Sequence, residues 1–305
     1  MLKHTALVTV LFSATALTAA GAGAADKVQV GDQMVFPESM TSTADGTLYA
    51  GSLTLGVILK AAPGAAKADL WVAKPADGPP GIAGVYADDK TGTLWACYVD
   101  LAAFGGKGMP SVLRAIDIAS GAVKGSYPFP EGSFCNDAVT LADGTVYATD
   151  TGGGRILRLK PGATALEEWL KSDALAGIDG ISIGGDGKIY VNSVMANKLM
   201  RVDVGSDGAA GTVTDLKLSE PIKGPDGMRF GDDGKLYLAE NAAGRVDEVT
   251  IDGDNATIKS LKDGLESPTA VSKNGSTLWA LEAKIDKLGG KDDPGPFYIW
   301  PIALQ

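Results

Sequence analysis

Apolar and polar residues alternate in short runs along this chain, and the runs come in pairs. Residues 135–149, CNDAVTLADGTVYAT, show the unit: a small or acidic start, an alternating segment, a turn at Asp143-Gly144, and a second segment centred on Val146-Tyr147. A period of two marks a β-strand, and a Gly in the turn supplies the positive φ that a hairpin requires. The unit recurs at 37–51 (PESMTSTADGTLYAG), 80–97 (PGIAGVYADDKTGTLWAC), 178–192 (IDGISIGGDGKIYVN), 225–239 (PDGMRFGDDGKLYLA) and 267–281 (SPTAVSKNGSTLWAL). Its turn glycines, Gly46, Gly92, Gly144, Gly187, Gly234 and Gly275, fall 41 to 52 residues apart.

Two more strands follow most hairpins. After the third come RILRLK (155–160) and ALEEWL (165–170); after the fifth come RVDEVT (245–250) and ATIKSL (256–261). Four antiparallel strands in each of six such units predict an all-β, six-bladed β-propeller. The sixth unit has only FYIWPIAL (297–304) as a third strand, so KVQVGDQMV (27–35) is expected to supply the fourth and close the ring. A pair of β-sandwiches or a β-helix accounts less well for a four-strand unit of this length.

The first 24 residues interrupt the pattern. MLKHTALVTVLFSATALTAAGAGA has a positive start, an apolar stretch and a small-residue end, the arrangement of a secretory signal peptide. Residues 25–305 are then expected to form one exported propeller domain, periplasmic or secreted. Without Lys3 and His4 the chain has 26 basic and 37 acidic side chains, a formal charge of −11. Such a surface repels nucleic acid and anionic lipid, so a small molecule is the expected partner and a monomer the expected state. No histidine is left, which excludes a Ser-His-Asp triad, a Cys-His pair and His-ligated zinc. Chemistry must rest on carboxylates, amides, lysines or a bound metal.

In a propeller, the ADG-type turns share one face. The starts of the first strands and the ends of the second strands share the other. The starts supply Glu38, Asn136, Asp137, Asp179, Asp226 and Ser267; the ends supply Ser52, Asp150, Asn192, Glu240, Asn241 and Glu282. Each taken singly suits a strand end, where Asp and Asn support turns. Together they place carboxylates and amides at one channel mouth, where like charges call for a cation or protons. Oxygen ligands favour one hard divalent cation, Ca²⁺ first, with Mg²⁺, Mn²⁺ or Zn²⁺ as alternatives.

PESM (37–40), ND (136–137), IDGISI (178–183) and PDGM (225–228) resemble the senescence marker protein / gluconolactonase / luciferin-regenerating enzyme family across residues 25–305. The resemblance implies metal ligands at Glu38, Asp179 and Asp226 and a substrate contact at Asn136. Where the family usually has Asn in the fourth blade, this chain has Asp179. Three carboxylates around a divalent ion leave a net charge near −1, which tightens binding and weakens Lewis acidity. The implied activity is metal-dependent hydrolysis of a lactone or related ester, with Asp226 or Asp137 deprotonating water and Asn192 and Glu240 as further substrate contacts. The competing readings are a non-catalytic binding propeller with a structural cation and a strictosidine synthase-like propeller. The histidine dyad of the paraoxonase branch has no counterpart here.

Cys97 and Cys135 fall on the same face of adjacent blades, so they form either a disulfide closing a loop of nearly 40 residues or two buried thiols. The long segments 98–111 and 283–297 also open on the mouth, as lids or as tolerated insertions. DTG at 150–152 occurs once, whereas aspartic-protease chemistry needs two such carboxylates. TGGGR (151–155) lacks the Lys-Ser/Thr of a phosphate loop.

Overall fold

The computed structural model describes residues 26–304 apart from 33, 106, 292 and 293. The expected signal segment, residues 1–24, lies outside the described residues. Each of the six repeat units forms its own antiparallel sheet. Blade one comprises Pro37–Ser42, Leu48–Ser52, Ile58–Ala61 and Asp69–Val72; blade two comprises Gly81–Asp88, Thr93–Val99, Val112–Asp117 and Val123–Pro128. Blade three runs Cys135–Thr140, Val146–Asp150, Arg155–Leu159, Glu167–Lys171, and blade four Ile178–Ile183, Ile189–Ser193, Lys198–Val204, Ala210–Asp215. Blade five has Pro225–Phe230, Leu236–Glu240, Arg245–Asp252 and Asn255–Lys262; blade six has Pro268–Asn274, Thr277–Glu282 and Phe297–Ala303.

Val28–Gly31 pairs antiparallel with Phe297–Ala303, with Val28 opposite Ile299. It completes blade six and closes the ring through hydrogen bonds between the two ends of the chain. Blade five carries one addition beyond the expected four strands. Lys217–Leu218 lies parallel to its outer strand, Lys217 opposite Asn255.

All six hairpin glycines take positive φ, from 57° at Gly275 to 89° at Gly144. The six first strands pack side by side around the axis. Neighbouring blades bury both faces of the middle strands: Leu48–Ser52, Val146–Asp150, Ile189–Ser193 and Leu236–Glu240 are buried at every position. Outer strands meet solvent on one face, so Asn255–Lys262 alternates over its first half, with Ala256 and Ile258 buried between exposed Asn255, Thr257 and Lys259. Apolar clusters fill the blade interfaces. Val139, Ile156, Ile181 and Val191 join blades three and four, and Leu199, Met228, Leu238 and Val249 join four and five.

Cys97 and Cys135 are disulfide-bonded, with Cα atoms 5.3 Å apart. The bond ties the second strand of blade two to the first strand of blade three across a sequence separation of 38. A loop of that length restricts the unfolded chain by about 3–4 kcal/mol. Reduction, or the Cys97→Ser/Cys135→Ser double variant, is expected to lower unfolding free energy by about that amount in a urea titration. An unchanged midpoint would show that the bond contributes nothing to stability.

Candidate functional site at the channel mouth

Every first strand slips register just after it begins. The break falls between Pro37 and Ser39, Ile82 and Val85, Cys135 and Ala138, Ile178 and Ile181, Pro225 and Met228, and Pro268 and Ala270. The extra residues within these β-bulges are Glu38, Ala83-Gly84, Asn136-Asp137, Asp179-Gly180, Asp226-Gly227 and Thr269. A bulge re-aims a side chain that a regular strand would direct into the sheet. The expected ligand positions Glu38, Asp179 and Asp226 are therefore all bulge residues, as is Asn136.

Three glycines let the bulges nest. A Cβ on Gly84 would lie 2.1 Å from the Asn136 carbonyl oxygen, one on Gly180 2.6 Å from that of Asp226, and one on Gly227 2.5 Å from that of Thr269. Each glycine sits against the backbone of the next blade's site residue, where no side chain fits. Polar staples join the bulges of blades three and four and of blades four and five. The Thr149 hydroxyl accepts from Asp137 N (3.0 Å) and donates to the Asp179 carbonyl (2.6 Å). Asn192 repeats this one blade on, accepting from Gly180 N (3.1 Å) and donating to the Asp226 carbonyl.

The charges at the mouth are crowded. Burial first, and then the charges of Asp179 and Asp137, hold the Glu38 carboxyl well above its ordinary range, opposed by Arg229. Asp179 is raised by burial and then by Asp226 and Asp137, and Asp226 by burial and then by Glu38. Asn136 Nδ2 donates to Asp179 Oδ2 at 2.8 Å, while Asp179 Oδ1 is buried without a hydrogen-bond partner. Asn241 Nδ2 donates to Asp226 Oδ2 at 3.1 Å. Among the described residues, no three acidic side chains are drawn together as a finished ligand shell. The oxygen donors, their mutual repulsion and the orphaned Oδ1 nevertheless suit a hard divalent cation.

Three expected site residues have other employment. Asp137, expected as a free carboxylate able to act as a base, is clamped by Arg229, whose Nη1 and Nη2 reach Oδ2 and Oδ1 at 2.6 and 2.7 Å. Its carboxylate also accepts from Ala138 N and Ile181 N, which leaves little capacity for a proton from water. Asn192, expected to contact substrate, is fully buried and spends both ends of its amide on the two bulges described above. Glu240, expected likewise, is fully buried and accepts from Lys223 N and from Arg245 Nε (2.8 Å). Asp150 does the same in blade three, accepting from Phe134 N, Gly153 N and Arg155 Nε. Acids at the ends of second strands thus brace the turns that follow them.

Two residues escaped sequence reasoning. Arg229 crosses from blade five to Asp137 in blade three and lies 5.4 Å from the Tyr86 ring of blade two. Its signal was a lone cation directly after PDGM on an inner strand. Thr269 holds the bulge of blade six, 2% exposed, with its hydroxyl unpartnered. Within 283–297, Asp286 accepts from Ser267 Oγ at 2.7 Å, and Lys284 Nζ donates to the carbonyls of Pro294 and Pro296. Ile285 and Leu288 pack against the cluster that contains Leu53, Val99 and Phe134. In 98–111, Asp100 accepts from Ala102 N and Met109 N, closing that loop on itself.

Asn192→Ala would orphan a buried N–H and a buried carbonyl. A loss of roughly 1–3 kcal/mol is expected in urea unfolding. An unaltered midpoint would return Asn192 to the substrate-contacting residues.

The family model described as SMP-30/Gluconolactonase/LRE-like region matches residues 108–279. No curated protein matches the sequence. Solved structures share the fold at low identity. Regucalcin from Agrobacterium tumefaciens, described as calcium-binding, is 18% identical at TM-score 0.65, covering 92% of this chain and 96% of its own. A gluconolactonase from Xanthomonas campestris is 15% identical at TM-score 0.62, covering 92% and 99%. Virginiamycin B lyase from Staphylococcus aureus, in a catalytically inactive histidine-to-alanine form, is 18% identical at TM-score 0.63, covering 92% and 88%. The chain belongs to the SMP-30/gluconolactonase/LRE-like family.

Proposed function

We propose that the protein is an exported, divalent-cation-dependent hydrolase of lactones or related esters. The observation that carries this reading is the group of mutually repelling carboxylates Glu38, Asp179 and Asp226, with Asp179 Oδ1 buried and unpartnered. These three residues would hold the cation, Ca²⁺ first, with Mg²⁺, Mn²⁺ or Zn²⁺ as alternatives. The calcium-binding and gluconolactonase relatives support this cation and this substrate class. The disulfide supports an oxidising compartment, in keeping with a signal peptide at residues 1–24 and a periplasmic or secreted location. Lyase chemistry like that of the virginiamycin relative is less favoured, because replacement of a histidine inactivates that enzyme and this chain has only His4.

When bound, a divalent cation supplies polarisation of the ester carbonyl and stabilisation of the oxyanion. Asp226 takes the proton from the attacking water, since Asp137 is held by Arg229. Asn241 and the Gly227 N–H keep the Asp226 carboxylate oriented. Asn136 fixes Asp179 through one amide N–H and keeps a second N–H and its oxygen for substrate. One specific observation favours a binding propeller instead: Asp137, the base expected outside the ligand set, is committed to Arg229.

A panel of aldonolactones and acyl lactones, assayed with Ca²⁺, Mn²⁺ or chelator, separates these readings. Asp226→Ala is expected to abolish cation binding and to lower hydrolysis by at least about 10²-fold. Lactone turnover unaffected by the substitution would sink the assignment, and cation binding without any turnover would favour the binding propeller.

The metal-free protein should also respond to pH. Glu38, Asp179 and Asp226 hold protons more tightly in the fold than in the unfolded chain. Their contribution to stability is full below about pH 4 and is lost as pH rises through the elevated folded values. Asp247, raised by burial and by Glu240 to about 8, extends the window to neutral pH. Exposed acids held low, such as Asp45 and Glu167, act in the opposite sense but only in the acid range. In chelator, thermal stability is therefore expected to fall from about pH 5 to about pH 8, with Ca²⁺ restoring it. A flat profile indifferent to calcium would contradict the cation site.

A further inference from the structure

On the face opposite the mouth, at the rim between blades two and three, lies a cavity of about 450 Å³ that the proposed hydrolase does not use. The hairpin turns of the two blades form its edge, Thr91 on one side and Gly144 on the other. Trp95 and Tyr127 line it, their ring centroids 6.0 Å apart and tilted at 41°.

Trp95 occupies the aromatic position that recurs in the second strand of every blade. Where that residue is Tyr190 or Tyr237, its hydroxyl is spent on a turn aspartate, Asp186 at 3.0 Å or Asp233 at 2.7 Å. Blade two departs from this arrangement. Trp95 is only 8% exposed, and its indole Nε1 has no hydrogen-bond partner. Thr140 Oγ1, lining the same cavity from the first strand of blade three, is also buried and unpartnered. Burying an N–H without an acceptor is unfavourable, so an acceptor brought into the cavity gains what the protein itself leaves unmade.

Among the described residues, Lys124 forms no ion pair with a carboxylate. Lys124 Nζ donates to Thr93 Oγ1 at 2.7 Å and to the Thr91 carbonyl at 3.4 Å, both neutral acceptors. A third ammonium N–H remains for an anion. Asp117 feels the Lys124 charge without a hydrogen bond to it, and its Oδ1 accepts from Ser120 N and Oγ. Asp88 accepts from Lys90 N and Thr91 Oγ1, and Lys160 pairs with Glu167 at 3.0 Å. The site thus combines two aromatic surfaces, an unmet indole N–H and an ammonium with a free proton.

We propose that this cavity is a second binding site, for a small aromatic carboxylate of one or two rings. The ring lies against Trp95 and Tyr127, acceptor atoms meet Trp95 Nε1 and Thr140 Oγ1, and the carboxylate pairs with Lys124. A volume near 450 Å³ suits a ligand of that size. Aromatic pairing contributes as it does within protein cores, and the charged contact adds selectivity for the anion. The site is independent of the mouth, so it stands or falls apart from the proposed hydrolase.

The test titrates 2-naphthoate into the full-length protein by calorimetry, with 2-naphthalenemethanol as the neutral counterpart. Saturable one-to-one binding of naphthoate is expected, in calcium and in chelator alike and unchanged in Asp226→Ala. Trp95→Phe keeps the ring and removes the N–H, and should weaken naphthoate by about tenfold. Lys124→Gln, at an exposed position, should weaken naphthoate by about tenfold while leaving the alcohol unaffected. Should Trp95→Phe fail to fold, the Lys124 arm decides by itself. Absence of saturation, binding that Asp226→Ala abolishes, or equal losses for acid and alcohol in Lys124→Gln would overturn the proposal.

Discussion

The arrangement at the mouth depends on one constraint, the close approach of each bulged first strand to the next. Gly84, Gly180 and Gly227 lie where any Cβ would collide with a backbone carbonyl of the neighbouring blade. The carbonyls they accommodate belong to Asn136, Asp226 and Thr269, so blade packing and site geometry are the same contact. Thr149 and Asn192 add hydrogen bonds at successive interfaces, each joining one bulge to the next. A glycine substitution there would act on site geometry and on stability together.

Electrostatics then divides the acidic residues into two kinds. Asp137, Asp150 and Glu240 are buried and matched, each with an arginine and with backbone N–H groups. Breaking such a pair would leave an uncompensated buried charge, whereas the intact pair adds mainly geometric definition. Glu38, Asp179 and Asp226 lack a matching cation of their own and raise one another's proton affinity. That imbalance, rather than the number of acids, separates the candidate site from the scaffold.

Much of the architecture was legible because hairpin chemistry is local. The positive φ at Gly46, Gly92, Gly144, Gly187, Gly234 and Gly275 follows from the turn, and the turn from a few adjacent residues. Ring closure by the strand at Val28–Gly31 was legible because blade six ran out of chain one strand short. For Asn192 and Glu240, a place at a strand end identifies the mouth but says nothing about which groups already have partners. Arg229 was missed because its partner Asp137 is 92 residues away in sequence.

By itself, then, the chain determined the six blades, their strand order and the residues that start each inner strand. The period of two and the turn glycines act over a few residues, and the same solution repeats six times. Only the tertiary structure decided which of those starting residues face the channel with unmet charge. A bulge re-aims Glu38, Asn136, Asp179, Asp226 and Thr269, and Arg229 removes Asp137 from the free acids. The physical reason is that partner and burial are properties of juxtaposed blades, and so is the orphaned N–H of Trp95 between blades two and three.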